Sequence, residues 1–307
     1  MFEIFKKRDL NAYINDTFSF FKIEGKTYFK NYLILNGGLL IVMLLCSYFL
    51  GKNLFSGLLN ANSEFDEFAN TNFTFIGPLV LILVLVSILF SAIAYTYPVI
   101  YLQNMIDGGE KTPSNFLNQI KKNIGRIIIF ILGSTFIIVP LLFIVFAISI
   151  ALVFLLIGIP LIIIVAVGSV AWTTLAYYEY INNKASFFTA YGRAFDMIRA
   201  NFWPTIIATL VMYMIIQVVT GIVSFIPQVY YYIELFTTIE NGGSEGDIGT
   251  TFGIIMAVTV VVSTLLGFVL NNLLLINQGL IYYSSRERVE NVTSYSQIDE
   301  IGKSDEN

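Results

Sequence analysis

Residues 127 through 178, from Ile127 to Tyr178, form a stretch of 52 without one charged side chain. A helix needs about 20 apolar residues to cross the hydrocarbon core. In lipid, a spanning segment must also satisfy its own backbone hydrogen bonds, which favours helices. One helix cannot use so long a run, but two joined by a tight turn can. The turn belongs near residues 148–158, ahead of Pro160. Four further apolar runs flank this pair: about Tyr32–Leu50, Phe75–Ile106, Trp203–Phe225 and Thr251–Tyr283. The prediction is an all-α polytopic membrane bundle of six transmembrane helices. Composition agrees, since 12% of the chain is charged where a soluble domain carries roughly 25%.

Lys and Arg fix the orientation, because they concentrate on the cytoplasmic side of membrane proteins. Six stand before the first span, four between spans two and three, three between spans four and five, and three after the sixth. Only Lys52, of the seventeen, falls on the other side. The alternation predicts that the N- and C-termini are both cytoplasmic. Residues 1–8 carry charge with no apolar run directly behind them, so no cleavable signal peptide is expected and the first span should act as an uncleaved anchor. Residues 1–284 read as one transmembrane domain and 285–307 as a polar cytoplasmic tail, with Ile298 and Ile301 its apolar anchors. The segments 52–74 and 226–250 read as solvated outer loops, carrying Glu64, Asp66 and Glu67, then Glu234, Glu240, Glu245 and Asp247.

Three basic-aromatic segments read as amphipathic helices lying in the interface, each leading into an odd-numbered span. Leu10, Ile14, Phe18 and Phe21 form the first stripe. Phe116, Ile120, Ile124 and Ile127 form the second, behind a Thr112-Pro113 cap. Phe187, Tyr191, Phe195, Ile198 and Phe202 form the third, with Arg193 and Arg199 off the stripe. Phe187, Tyr191, Arg193, Phe195 and Arg199 are the candidate interfacial contacts. Even-numbered spans end in aromatic clusters (Tyr95, Tyr97, Tyr101; Trp172, Tyr177, Tyr178, Tyr180; Tyr282, Tyr283), which read as aromatic belts at the headgroups. Interfacial helix, span, turn, span and belt thus recur three times, over 9–106, 112–181 and 186–284, the pattern of a threefold internal repeat.

Three motifs carry a resemblance. Asp9-Leu-Asn-Ala-Tyr-Ile-Asn-Asp-Thr-Phe-Ser-Phe-Phe21, Ala190-Tyr-Gly-Arg-Ala-Phe-Asp-Met-Ile-Arg-Ala-Asn-Phe-Trp-Pro204 and Gln297-Ile-Asp-Glu-Ile-Gly302 resemble a group of stand-alone Bacteroidota inner-membrane proteins. That group is similar to the six-helix membrane domain preceding some glycerophosphodiester phosphodiesterases. The resemblance implies six helices in a bacterial inner (plasma) membrane and does not imply catalysis, since the soluble phosphodiesterase barrel of those enzymes has no counterpart here.

Chemistry is sparse. The chain has no histidine and one cysteine, Cys46, within an apolar run. The spans hold almost no ionisable group of the kind that marks ion-coupled transport. Glu179, at a cytoplasmic edge, reads as a snorkelling or capping carboxylate. The amides Asn271, Asn272, Asn277 and Gln278 on the last span, with Gln103 and Asn104 near the end of the second, are candidate contacts to a lipid headgroup or polar cavity. The reading preferred for them is ordinary interhelical hydrogen bonding, worth roughly 0.6–2 kcal/mol each. Gly37-Gly38 offers a close-packing surface. The expectation is a non-enzymatic accessory or scaffold protein, without cofactor, metal or nucleic-acid partner, engaging membrane lipids or a larger membrane protein complex. The alternative is a passive transporter or channel for lipid-like or apolar molecules.

Overall fold

The computed structural model describes residues 2–59, 65–241 and 245–290. Glu64 and residues 291–307, with Ile298 and Ile301, lie outside the described residues, as do the side chains of Asp66, Glu67, Glu240, Glu245 and Asp247. Among the described residues the fold is entirely helical: α1 (Leu10–Leu59), α2 (Phe65–Ile106), α3 (Pro113–Gly133), α4 (Val139–Ala151), α5 (Gly158–Asn182), α6 (Phe187–Ala200), α7 (Phe202–Ser224), α8 (Ile226–Asn241) and α9 (Glu245–Glu290). Six segments within them are long and apolar enough to cross a membrane: Leu10–Lys52, Ile76–Ile106, Pro113–Leu155, Gly158–Asn182, Phe202–Glu234 and Thr251–Glu290. The chain is a multi-pass membrane protein.

The charge-free run divides as expected. Helix α4 tightens into a 3-10 turn at Leu152–Leu155, and Leu156 takes a left-handed conformation with φ 58° before α5 begins. Gly158 is required there: a Cβ would sit 2.3 Å from the backbone nitrogen of Val153. Upstream, Pro140 follows a π turn at Ser134–Ile138. Proline lacks a donor and crowds the carbonyl four residues back, so the preceding turn widens.

Helices outrun the spans. The segments 52–74 and 226–250, expected as loops, are largely helical, since α1 continues to Leu59, α2 starts at Phe65 and α8 follows directly on Phe225. At 1.5 Å per residue the 50 residues of α1 make a helix of about 75 Å, against a hydrocarbon core of about 30 Å. Polarity ends a span; it does not end a helix.

The interfacial segments differ in the same way. Thr112 caps α3, its side chain accepting from Asn115 N, with Pro113 in the first turn. Yet the segments before spans one and three are continuous with those spans, in α1 and α3. Only α6 is a separate helix, capped by Ser186 and broken from α7 at Asn201.

The contacts divide the chain into two compact units. Unit 1 comprises residues 1–33, 94–213 and 272–307; unit 2 comprises 34–93 and 214–271. Unit 2 packs with few polar side chains. Phe90 meets Phe268 with ring centroids 4.1 Å apart, and a Cβ on Gly51 would lie 3.1 Å from Ala257 Cα. Gly37 and Gly38, expected as the close-packing surface, have open space beside them, so Gly51 takes that role.

A buried glutamate and an arginine-lined pocket

Unit 1 is lined with tyrosines. Helix α1 buries Tyr13, Thr17, Phe20 and Tyr28, one residue ahead of or behind the expected stripe, and leaves Phe18 exposed. In α3 the stripe holds at Phe116, Ile120 and Ile127, with Ile124 exposed. The tyrosine clusters are core rather than belt, since Tyr97, Tyr101, Tyr178, Tyr282 and Tyr283 are fully buried. Each of these five hydroxyls finds an acceptor, which is what allows a phenol to be buried. Tyr97 donates to the Tyr28 carbonyl at 2.8 Å, Tyr101 to Glu24 at 2.8 Å and Tyr178 to the Leu275 carbonyl at 3.0 Å. Tyr283 donates to Gln103 at 3.2 Å. Tyr95 alone of the three on α2 faces outward.

Tyr282 donates to Glu179, at 2.9 Å. Glu179 is 1% exposed and does not snorkel. Its carboxylate also accepts from Asn183 Nδ2 at 2.8 Å and from Arg193 Nη1 on α6. A buried carboxylate is tolerated only when paired and hydrogen-bonded, and here three donors from three directions meet that need. The cationic partner was legible only as one of α6's off-stripe residues.

The first residues are fastened to the same end of α9. The Arg8 guanidinium is wholly buried, donating to Asp16 at 2.8 Å and to the Ile4 and Glu3 carbonyls at 2.7 and 2.6 Å. Burial pulls its pKa down, and the hydrogen bond and charge of Asp16 oppose that. Arg8 N donates to Ser284 Oγ at 2.9 Å, and the Arg8 carbonyl accepts from Arg288. In sequence Arg8 was simply one cytoplasmic charge; its role needs a contact spanning nearly the whole chain.

Between α6 and the last turns of α9 lies a pocket of about 500 Å³. Glu179, Arg193, Asp196, Ser285, Arg286 and Arg288 line its polar part, and Met197, Ala200 and Val289 its apolar part. Arg193 pairs with Glu179 and Arg286 with Glu290. The Ser285 hydroxyl is buried without a hydrogen-bond partner.

Of the expected interfacial residues, Tyr191 is buried with Ala190, Ala194 and Ile198, and its ring stacks on Phe130. Burial pushes its phenol pKa up. Phe187 is half-buried and contacts Phe130. Phe195 is exposed, as is Phe188 seven residues before it. At 100° per residue these two share a face with Arg199, so α6 has a buried face, an outward aromatic face and a polar face bearing Arg193 and Asp196.

The amides are engaged with neighbouring helices. Asn272 accepts from Tyr28 at 2.6 Å, and Asn277 donates to the Tyr13 carbonyl at 3.1 Å and to Thr17 at 3.0 Å. Gln278 donates to Thr209 at 2.8 Å, but its carbonyl oxygen is buried without a partner. Asn271 is half-buried. Gln103 and Asn104 fasten the turn after α2: Gln103 donates to Asp107 at 3.0 Å and Asn104 to the Glu110 carbonyl at 2.7 Å. Gly108 supplies the left-handed residue there, with φ 65°. No protein-family model, curated protein or solved structure matches this chain.

Proposed function

We propose that the protein is a non-enzymatic accessory or scaffold protein of the bacterial inner membrane, with cytoplasmic termini, engaging lipid or a larger membrane complex through the end of the bundle that bears them. The observation that carries this reading is the three-faced α6. Its buried face is spoken for, while Phe188 and Phe195 stand outward beside Arg199. An outward aromatic face with an adjoining arginine suits the headgroup layer, where aromatic rings and cations are both favoured. The distribution of Lys and Arg supports the orientation. The resemblance to stand-alone membrane domains points the same way, towards a membrane part without a hydrolase.

The alternative of a passive conduit draws less support, because Asn272, Asn277 and Gln278 each bond to another helix. Purification from native membranes in mild detergent tests the proposal. The expected result is a co-purifying membrane protein or an enriched lipid class, reduced in a Phe188→Ser/Phe195→Ser double variant. Recovery of intact protein with neither would overturn it.

A further inference from the structure

The pocket between α6 and the end of α9 contains four opposed charges that cancel in pairs: Glu179 with Arg193 and Glu290 with Arg286. Two charges then remain. Arg288 donates to the Arg8 carbonyl and meets no carboxylate within ion-pair distance among the described residues. Asp196, exposed on the polar face of α6, has no ion pair among them either. The lining therefore offers one uncompensated cation and one uncompensated anion.

Ser285 is the second observation. Its side chain is 7% exposed, it borders the pocket, and its hydroxyl has no partner. A buried hydroxyl without a partner costs free energy that an incoming acceptor recovers. It stands three residues before Arg288, so the two lie on one face of α9. A hydroxyl donor beside a guanidinium is a combination suited to a phosphate oxygen.

We infer that this pocket binds the headgroup of a zwitterionic, ammonium-bearing phospholipid, its phosphodiester held by Arg288 and Ser285 and its ammonium by Asp196. A dianionic phosphate monoester fits less well, since Glu179, Asp196 and Glu290 would all face it. The volume of about 500 Å³ falls within the usual range for ligand sites, roughly 300–1,000 Å³. Met197, Ala200 and Val289 supply an apolar wall for the glycerol and first methylenes. The inference rests on α6 lying at the headgroup layer.

Native mass spectrometry of the full, delipidated chain with phosphatidylethanolamine, phosphatidylglycerol and soluble glycerophosphoethanolamine, which keeps the phosphodiester, tests it. Phosphatidylethanolamine should be retained several-fold over phosphatidylglycerol, and Arg288→Gln should weaken it by roughly tenfold. Because Arg288 also fastens Arg8, Asp196→Asn is the cleaner variant: it should leave thermal stability unchanged and abolish the preference. Equal retention of the two lipids by the wild type, or an unaltered preference in Asp196→Asn, would overturn the inference. Tight binding of soluble glycerophosphoethanolamine alone, with no lipid retained, would keep the recognition chemistry and overturn the lipid as its source. A partner co-purifying equally with wild type and Asp196→Asn, with no lipid preference, would sink this inference while leaving the accessory role standing.

Discussion

The inner faces of unit 1 and unit 2 are filled differently. In unit 1 the large buried side chains are tyrosines, and their hydroxyls bond to carbonyls, amides and carboxylates on other helices. Unit 2 buries Leu40, Met43, Cys46, Leu50 and Phe90 and sets Gly51 against Ala257. It leaves Val80, Leu81, Leu85, Ile222 and Val258 outward. Lipid tails are as apolar as leucine, so aliphatic faces gain little by leaving lipid, and close packing or hydrogen bonding must hold helices together. Unit 1 uses mainly the second means and unit 2 the first. The two should therefore fail under different substitutions.

The largest effect is expected at Glu179. Glu179→Ala leaves the Tyr282 hydroxyl and the Asn183 amide without their acceptor and strips Arg193 of its counter-ion. Breaking a fully buried pair costs about 3–5 kcal/mol. Arg193, however, is 56% exposed and can turn to water, so about 3 kcal/mol is expected in equilibrium unfolding in detergent. A loss below about 1 kcal/mol would remove the carboxylate from the centre of unit 1's network.

Next comes Gly51→Val, which tests unit 2 by volume alone. The added methyls meet the Ala257 backbone, which cannot give way as a side chain can, so about 2 kcal/mol is expected, within the range for overpacking. The same substitution at Gly37, beside open space, should change stability only through helix propensity, a gain of a few tenths of a kcal/mol or less. Thermal melts of the pair decide it, and equal losses would break the claim that unit 2 is held by a close helix approach. Tyr28→Phe follows at about 1 kcal/mol, because it removes the hydroxyl bonded to Asn272 and nothing else.

Length, apolarity and the paired spans were readable because each depends on a local run of residues. The turn within 148–158 was readable too, since two spans in one run demand a break and Gly158-Pro160 supplies one. The tyrosines were not. A run such as Tyr177-Tyr-Glu-Tyr180 satisfies a headgroup belt and a buried hydrogen-bonded layer equally, and only the acceptors on other helices separate the two. The α1 stripe failed by about one residue for a related reason. Period 3.6 marks a face, but Tyr13, Thr17 and Phe20 compete with Leu10, Ile14 and Phe18 at the same spacing. Hydropathy alone favours the aliphatic set, which lipid accepts as readily as the core does. Arg193, Ser285 and Arg288 come together from helices far apart in sequence, and no spacing announces them.

Gln278 carries the smallest expected effect and the sharpest sign. Amides on the last span could hold unit 1 together or merely be tolerated there, and the two roles differ in what a leucine does. Gln278 donates one good bond to Thr209, which argues for a loss on Gln278→Leu. Its carbonyl oxygen is buried without a partner, which argues for a gain of similar size once that oxygen is removed. The two nearly cancel, so stability should stay within about 0.5 kcal/mol of wild type. Asn277→Leu provides the contrast, because its bonds to α1, to the Tyr13 carbonyl and to Thr17, are lost with no orphan relieved. If Gln278→Leu instead destabilises as much as Asn277→Leu, the unpaired oxygen has an acceptor role that static packing does not account for, and unit 1's polar layer extends further along α9 than its hydrogen bonds mark.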